Sequence, residues 1–201
     1  MSKVIGKRVT RVEDARLLTG QGKYIDDIGT PPNTGHVAIL RSPYPHAKIV
    51  SIDYSEALEI PGVKGVVTGK DVHPLLNPFS VGVSAPVHYY PIAIDKVRFV
   101  GEPVAVVVAK NRYIAEDALE KIKVKYENLE PIVDIERALE KGAPILHENV
   151  GSNIANHRTF HYGDVEKAFE QADKIIKHRF HFPKYSATPV ETYGIVAQYD
   201  H

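Results

Sequence analysis

Apolar and polar positions alternate with a period of two along Ala47-Lys48-Ile49-Val50-Ser51-Ile52-Asp53, which predicts a half-buried strand. His36 to Arg41 predicts a strand before it, cut off by Ser42-Pro43-Tyr44-Pro45. Val63 to Thr68 and Lys96 to Val100 predict two more, and Gly101-Glu102-Pro103 a sharp turn after the second. Val104 to Ala109 is apolar without interruption, so this strand is expected to be covered on both faces. Asn111 is placed to cap a helix whose Ile114, Ala118 and Ile122 recur at i, i+4 and i+8. Lys123 to Tyr126 then returns as a strand, and this strand-helix-strand unit predicts a crossover on one small sheet.

Shorter signals fill the rest. Ser55 is a plausible N-cap for a helix over Glu56 to Glu59, stopped by Pro61-Gly62. Residues 71 to 94 carry Pro74, Pro78, Pro86 and Pro91 and predict an irregular, flexible excursion. Asp134 opens a predicted helix with Ile135, Ala138 and Leu139, ended by Gly142. Residues 143 to 157 hold no sustained period and are expected to be linker. Gly163-Asp164 starts a helix with Val165, Ala168, Phe169 and Ala172 on one face. Lys174 to Phe182 predicts a strand with Ile176, His178, Phe180 and Phe182 on one side, and Gly194 to Tyr199 predicts another. That last strand ends at Tyr199-Asp200-His201, either a ladder without its continuation or an ordinary edge. The first eighteen residues, with Lys3, Lys7, Arg8, Arg11 and Arg16, predict an arm.

Composition narrows the chemistry. The 201 residues hold 25 basic and 25 acidic side chains, so no overall field favours nucleic acid or an anionic membrane. Zero cysteines exclude a disulfide scaffold, a thiol nucleophile and thiolate-held zinc or iron–sulfur clusters in these residues. The opening lacks an apolar signal core, and Val104 to Ala109 is too short to insert in a membrane, so the expected location is cytoplasmic.

The familiar catalytic patterns are incomplete. Gly20-Gln21-Gly22 starts a dinucleotide fingerprint but has Ile25 at the third glycine position, so it reads as a turn. Gly82-Val83-Ser84-Ala85-Pro86 fails as a nucleophile elbow at its fifth residue. His157 and His161 lie on linker, and His178 and His181 point to opposite faces of a predicted strand. His147-Glu148 lacks the second histidine of a zinc helix. Asp26-Asp27 diverge, and Glu116, Asp117 and Glu120 read as a solvated face.

Several ordered stretches carry a resemblance. Leu18-Thr19-Gly20-Gln21-Gly22-Lys23-Tyr24-Ile25-Asp26-Asp27 and Arg41-Ser42-Pro43-Tyr44-Pro45-His46-Ala47-Lys48-Ile49 resemble the start of molybdenum hydroxylase large subunits. Pro61-Gly62-Val63, Val97 to Ala105 with its Gly101-Glu102-Pro103, Ala115 to Ala118, Val124 to Glu127, Gly163 to Phe169 and Val190-Glu191-Thr192 keep the same order. The family includes xanthine dehydrogenase, aldehyde oxidase and aerobic carbon monoxide dehydrogenase, and Arg8 to Ala15 is most similar to the last.

The resemblance implies an α+β chain. An arm over 1–18 would precede an α/β-hammerhead domain over 19–135, with a short mixed sheet and packed helices. A helix and linker over 136–157 would lead to the first helix and strands of a molybdopterin-binding domain over 158–201. It implies molybdopterin and molybdenum in the complete subunit, with [2Fe-2S] clusters and FAD in a small and a medium partner subunit. No catalytic, cofactor-binding or metal-ligating residue of the family falls on a residue of this chain. Glu191 matches a recurring Glu-Thr pair and is expected to make a structural hydrogen bond. The expected function is the N-terminal structural portion of an oxidoreductase subunit, inactive alone. The alternative is a free-standing binding or assembly module.

Overall fold

The computed structural model describes residues 5–79, 82, 85–189 and 191–200. Val83 and Ser84 of the elbow-like stretch, and Val190 beside Glu191, lie outside them. In chain order the elements are α1 (Asp14–Leu18), β1 (His36–Arg41), β2 (Ala47–Asp53), α2 (Ser55–Leu58), β3 (Val63–Thr68), α3 (Gly69–Val72), β4 (Lys96–Val97), β5 (Pro103–Ala109), α4 (Arg112–Leu119), β6 (Lys123–Asn128) and α5 (Val165–Glu170). Single 3-10 turns lie at Ile25–Asp27, His73–Leu75 and Arg137–Leu139. Two compact units result, Asn33–Asp173 and Met1–Pro32 with Lys174–His201.

In the larger unit β5 is the central strand of a three-stranded sheet, between β1 and β3, and β2 is central to a second sheet, between β4 and β6. Every pairing is antiparallel. The sheet expected to be mixed is therefore two antiparallel sheets within the α+β class. The predicted crossover fails for a related reason. Both edges of β5 are occupied by β1 and β3, so the strand after α4 has no open edge beside it. β6 pairs instead with β2, Asp53 opposite Lys123 and Ala47 opposite Asn128.

The apolar run of β5 does what its composition predicts. Ala105, Val107 and Ala109 join one core with Ala38, Ala57, Ala115, Ala118 and Ile122, whereas Val104 joins another with Ala47, Ala93 and Val97. Alanines at the contact let α4 and α2 approach the sheet closely. Fully buried Val97, Val104 and Val107 each contribute about 1.5–3 kcal/mol of transfer free energy. Asn111 caps α4 as expected, its Oδ1 accepting from the Ile114 amide at 2.9 Å.

Other expectations shift locally. Ser55 is the first residue of α2, not its N-cap: the cap position is Tyr54, whose side chain makes no capping bond, and Asp53 Oδ1 turns the chain by accepting from the Ser55 amide at 3.0 Å and hydroxyl at 2.7 Å. The strand expected over Lys96 to Val100 stops at Val97, because residues 98 to 102 curl around the Glu102 carboxylate. The helix expected from Asp134 is one 3-10 turn. Asp134 Oδ1 does accept from the Glu136 and Arg137 amides, but Ile135 and Leu139 stay exposed, so no packing extends the turn. Within the arm, residues 14–18 form α1 without burying a side chain.

Asp164 caps α5, accepting from the Lys167 amide at 3.0 Å, yet Val165 and Phe169 remain exposed. Neither Lys174 to Phe182 nor Gly194 to Tyr199 is a strand among the described residues. Alternating side chains create a strand only where a neighbour completes the backbone ladder, and here none does.

Candidate functional site

A cavity of about 490 Å³ in the Asn33–Asp173 unit lies where the loop after β4, described residues of the 71–94 excursion and residues 147–149 converge. Local hydrogen bonds build it. The Glu102 carboxylate accepts from the Arg98 amide at 2.5 Å, and Gly101 at φ 92° supplies the sharp turn expected there. The loop is clasped to the end of β1: the Gly101 amide donates to Ser42 O at 2.8 Å and the Ser42 amide to Glu102 O at 2.9 Å. Arg41 Nη1 adds a bond to Gly101 O at 2.8 Å. Across the cleft, the described residues of the 71–94 excursion carry the Phe79–Tyr89 bridge and the His73–Tyr90 ring pair, whose centroids lie 5.3 Å apart.

The third wall comes from the stretch expected to be free linker. Arg98 Nε donates to Leu146 O at 3.1 Å, Asn149 Nδ2 to Pro86 O at 2.6 Å, and Lys96 Nζ to Glu148 Oε1 at 2.5 Å. Asn153 folds the stretch on itself by donating to Pro144 O and accepting from the Leu146 amide, and joins it to the 3-10 turn by donating to Ala138 O.

Electrostatics follow this packing. Burial pushes the Glu102 carboxyl up against the opposing pull of the Arg98 and Phe99 amides. His147 is pushed down, first by burial and then by the positive charges of Arg98 and Lys96. The hydrogen bond from Lys96 holds Glu148 below the usual carboxylate range.

Both carboxylates are already committed: Glu102 organises a loop and Glu148 neutralises Lys96, so each holds chain segments together. Histidines 157, 161, 178 and 181 are all exposed, and among the described residues no group of three or more His, Asp or Glu is placed to hold a metal ion. In the other unit, Glu191 Oε1 accepts from the Ile25 amide at 3.3 Å. The residues that matter most in the cleft, Lys96 and Arg98, were not singled out by sequence.

Two small antiparallel sheets bridged by β5 and covered by short alanine-faced helices define an α/β-hammerhead. The aldehyde oxidase and xanthine dehydrogenase a/b hammerhead domain matches residues 19–130, and a molybdopterin cofactor-binding domain matches 146–201. The chain belongs to the aldehyde oxidase and xanthine dehydrogenase family and matches the N-terminal part of molybdenum hydroxylase large subunits.

Its relatives include the nicotine 6-hydroxylase large subunit of Paenarthrobacter nicotinovorans, 38% identical over 98% of this chain and 24% of that protein. The carbon monoxide dehydrogenase large chain of Hydrogenophaga pseudoflava is 35% identical over 96% of this chain and 25% of that one. Quinoline 2-oxidoreductase from Pseudomonas putida 86 superposes with a TM-score of 0.68 and 43% identity, over 78% of this chain and 20% of that structure. The chain thus spans about a quarter of the length of these relatives.

The residues described here do not themselves fit a pterin. Every described residue from 154 to 200 is exposed, and a cofactor cradle needs buried, converging donors.

Proposed function

We propose that this chain serves as the N-terminal structural portion of the large subunit of a molybdenum hydroxylase of the carbon monoxide dehydrogenase or aldehyde oxidase type. One observation carries the proposal: a hammerhead match at 19–130 followed in order by a molybdopterin-domain match at 146–201. In this reading residues 1–18 are an arm, 19–135 the hammerhead, 136–157 the connecting stretch and 158–201 the start of the molybdopterin-binding domain. The chain supplies no reacting group. Molybdopterin and molybdenum belong to the remainder of the subunit, and [2Fe-2S] clusters and FAD to a small and a medium partner. The complex works in the cytoplasm. The absence among the described residues of a helix long and apolar enough to cross a membrane accords with that location.

Co-expression with the remaining large-subunit polypeptide and the iron–sulfur and flavin subunits tests this. All should co-purify, and the complex should pass electrons from substrate to an acceptor dye. The chain alone should show no turnover and no stoichiometric molybdenum or pterin. Oxidation of carbon monoxide, an aldehyde or a purine by the lone chain would overturn the proposal. So would a folded chain that fails to join the others, the result expected of a free-standing module.

A further inference from the structure

Residues 144–153 bury no side chain, yet they are held in place. Leu146 and Val150 are half-buried beside Val87, Ile132 and Ala138, and polar contacts add to that modest packing; the strongest of them is uneven. The Lys96 side chain is 5% exposed and the Glu148 side chain 69% exposed. Glu148 can move into water at little cost. Lys96 is less free to follow it: the edge strand β4 pairs with β2, where Lys48 is its register partner, and its side chain lies buried there. Separation would leave an ammonium buried without its carboxylate, which is far costlier than losing a surface pair. The remaining bonds, Arg98 to Leu146 O, Asn149 to Pro86 O and the Ala85 amide to Ala155 O at 3.1 Å, end on neutral carbonyls. Asn153 ties the stretch together through the Leu146 amide and Pro144 O, and joins it to the 3-10 turn through Ala138 O, again a neutral carbonyl.

We propose that residues 144–153 are a strap latched across the hammerhead cleft by the Lys96–Glu148 ion pair, and that this pair sets whether the connecting chain is held or free. The strap overlaps the start of the molybdopterin-domain match at 146 and follows the hammerhead match ending at 130. The latch therefore fixes the direction in which the chain leaves the hammerhead. Nothing in this inference depends on which reaction the whole enzyme performs.

Amide hydrogen exchange on the full 201-residue chain tests the latch. In Glu148→Ala, peptides over 143–153 should exchange at least about tenfold faster, the effect expected of losing a bond to a charged group, while β5 keeps its protection. Glu148→Gln, which keeps an acceptor but loses the charge, should fall between. Lys96→Met separates the latch from general stability: it replaces the buried charge with an apolar chain of similar length, so β5 should stay protected while the strap loosens. An unchanged strap in either Glu148→Ala or Lys96→Met overturns the proposal. Equal acceleration of β5 and the strap in both variants overturns it too, since the pair would then support the whole domain.

Discussion

Gly69 shows how much a single hydrogen can matter. It opens α3 behind Thr68, whose amide and hydroxyl both bond Asp71 Oδ2 at 2.8 and 2.7 Å. A methyl group at Gly69 would lie 2.1 Å from Ala93 O and 2.8 Å from Ile94 Cα, so backbone would have to move. Gly69→Ala is expected to destabilise the chain by about 3 kcal/mol, read from the denaturant midpoint. Gly65→Ala, with open space around its Cβ, is the control and should change little. A midpoint shift no larger than the control's would mean that the 93–94 backbone yields easily. His46 makes a comparable commitment: its Nδ1 lies 2.7 Å from Glu130 O, and a carbonyl can only accept, so Nδ1 carries the proton. Local roles such as the Asn111 and Asp164 caps were legible in sequence because they act within one helical turn. The Lys96–Glu148 pair was not, since 52 residues separate its members and only the fold brings them together.

At the scale of elements, the strap should respond to pH. His147 faces Lys96 and Arg98 from β4 and its loop, His88 from the excursion, and Glu148 beside it; the cations and burial outweigh the carboxylate and lower its proton affinity. The folded chain thus binds this proton less readily than the unfolded chain. Its contribution is complete above the ordinary imidazole range and is lost as pH falls through the depressed value. Glu148, lowered mainly by the Lys96 hydrogen bond, has the same sign deeper in acid. Glu102, raised by burial, runs the other way: its contribution is present in acid and declines as pH rises through the carboxylate range. Strap exchange, corrected for the intrinsic chemical rate, should accelerate as pH falls below neutral, and His147→Gln should remove the first step. A pH-independent strap would show that neither group reports on it. Strands and helices were largely legible from period and capping, whereas strand pairing was not, because an open edge is a property of the assembled sheet.

Across the whole molecule, protection should be uneven. The core packed around β5 has eight buried residues in one cluster and four in the other, whereas α5 leaves Val165 and Phe169 exposed and the described residues of 174–200 complete no ladder. Were 143–157 a free linker, a non-specific protease would cut there early. With the strap latched, the first proteinase K cuts C-terminal to the hammerhead are expected beyond it, within 158–189, leaving a resistant hammerhead. Mass spectrometry of the early fragments checks this, and initial cleavage within 143–157 would contradict it.

Periodicity, turn residues and caps were enough to determine most of the elements, because each depends on neighbours a few residues away. Ordered motifs along the chain were likewise enough to reveal its family. Which strands share a sheet, which carboxylate meets the buried lysine, and which apolar faces go uncovered were decided only in three dimensions. Pairing and burial depend on what occupies the adjacent edge or face, and distant parts of the chain supply it.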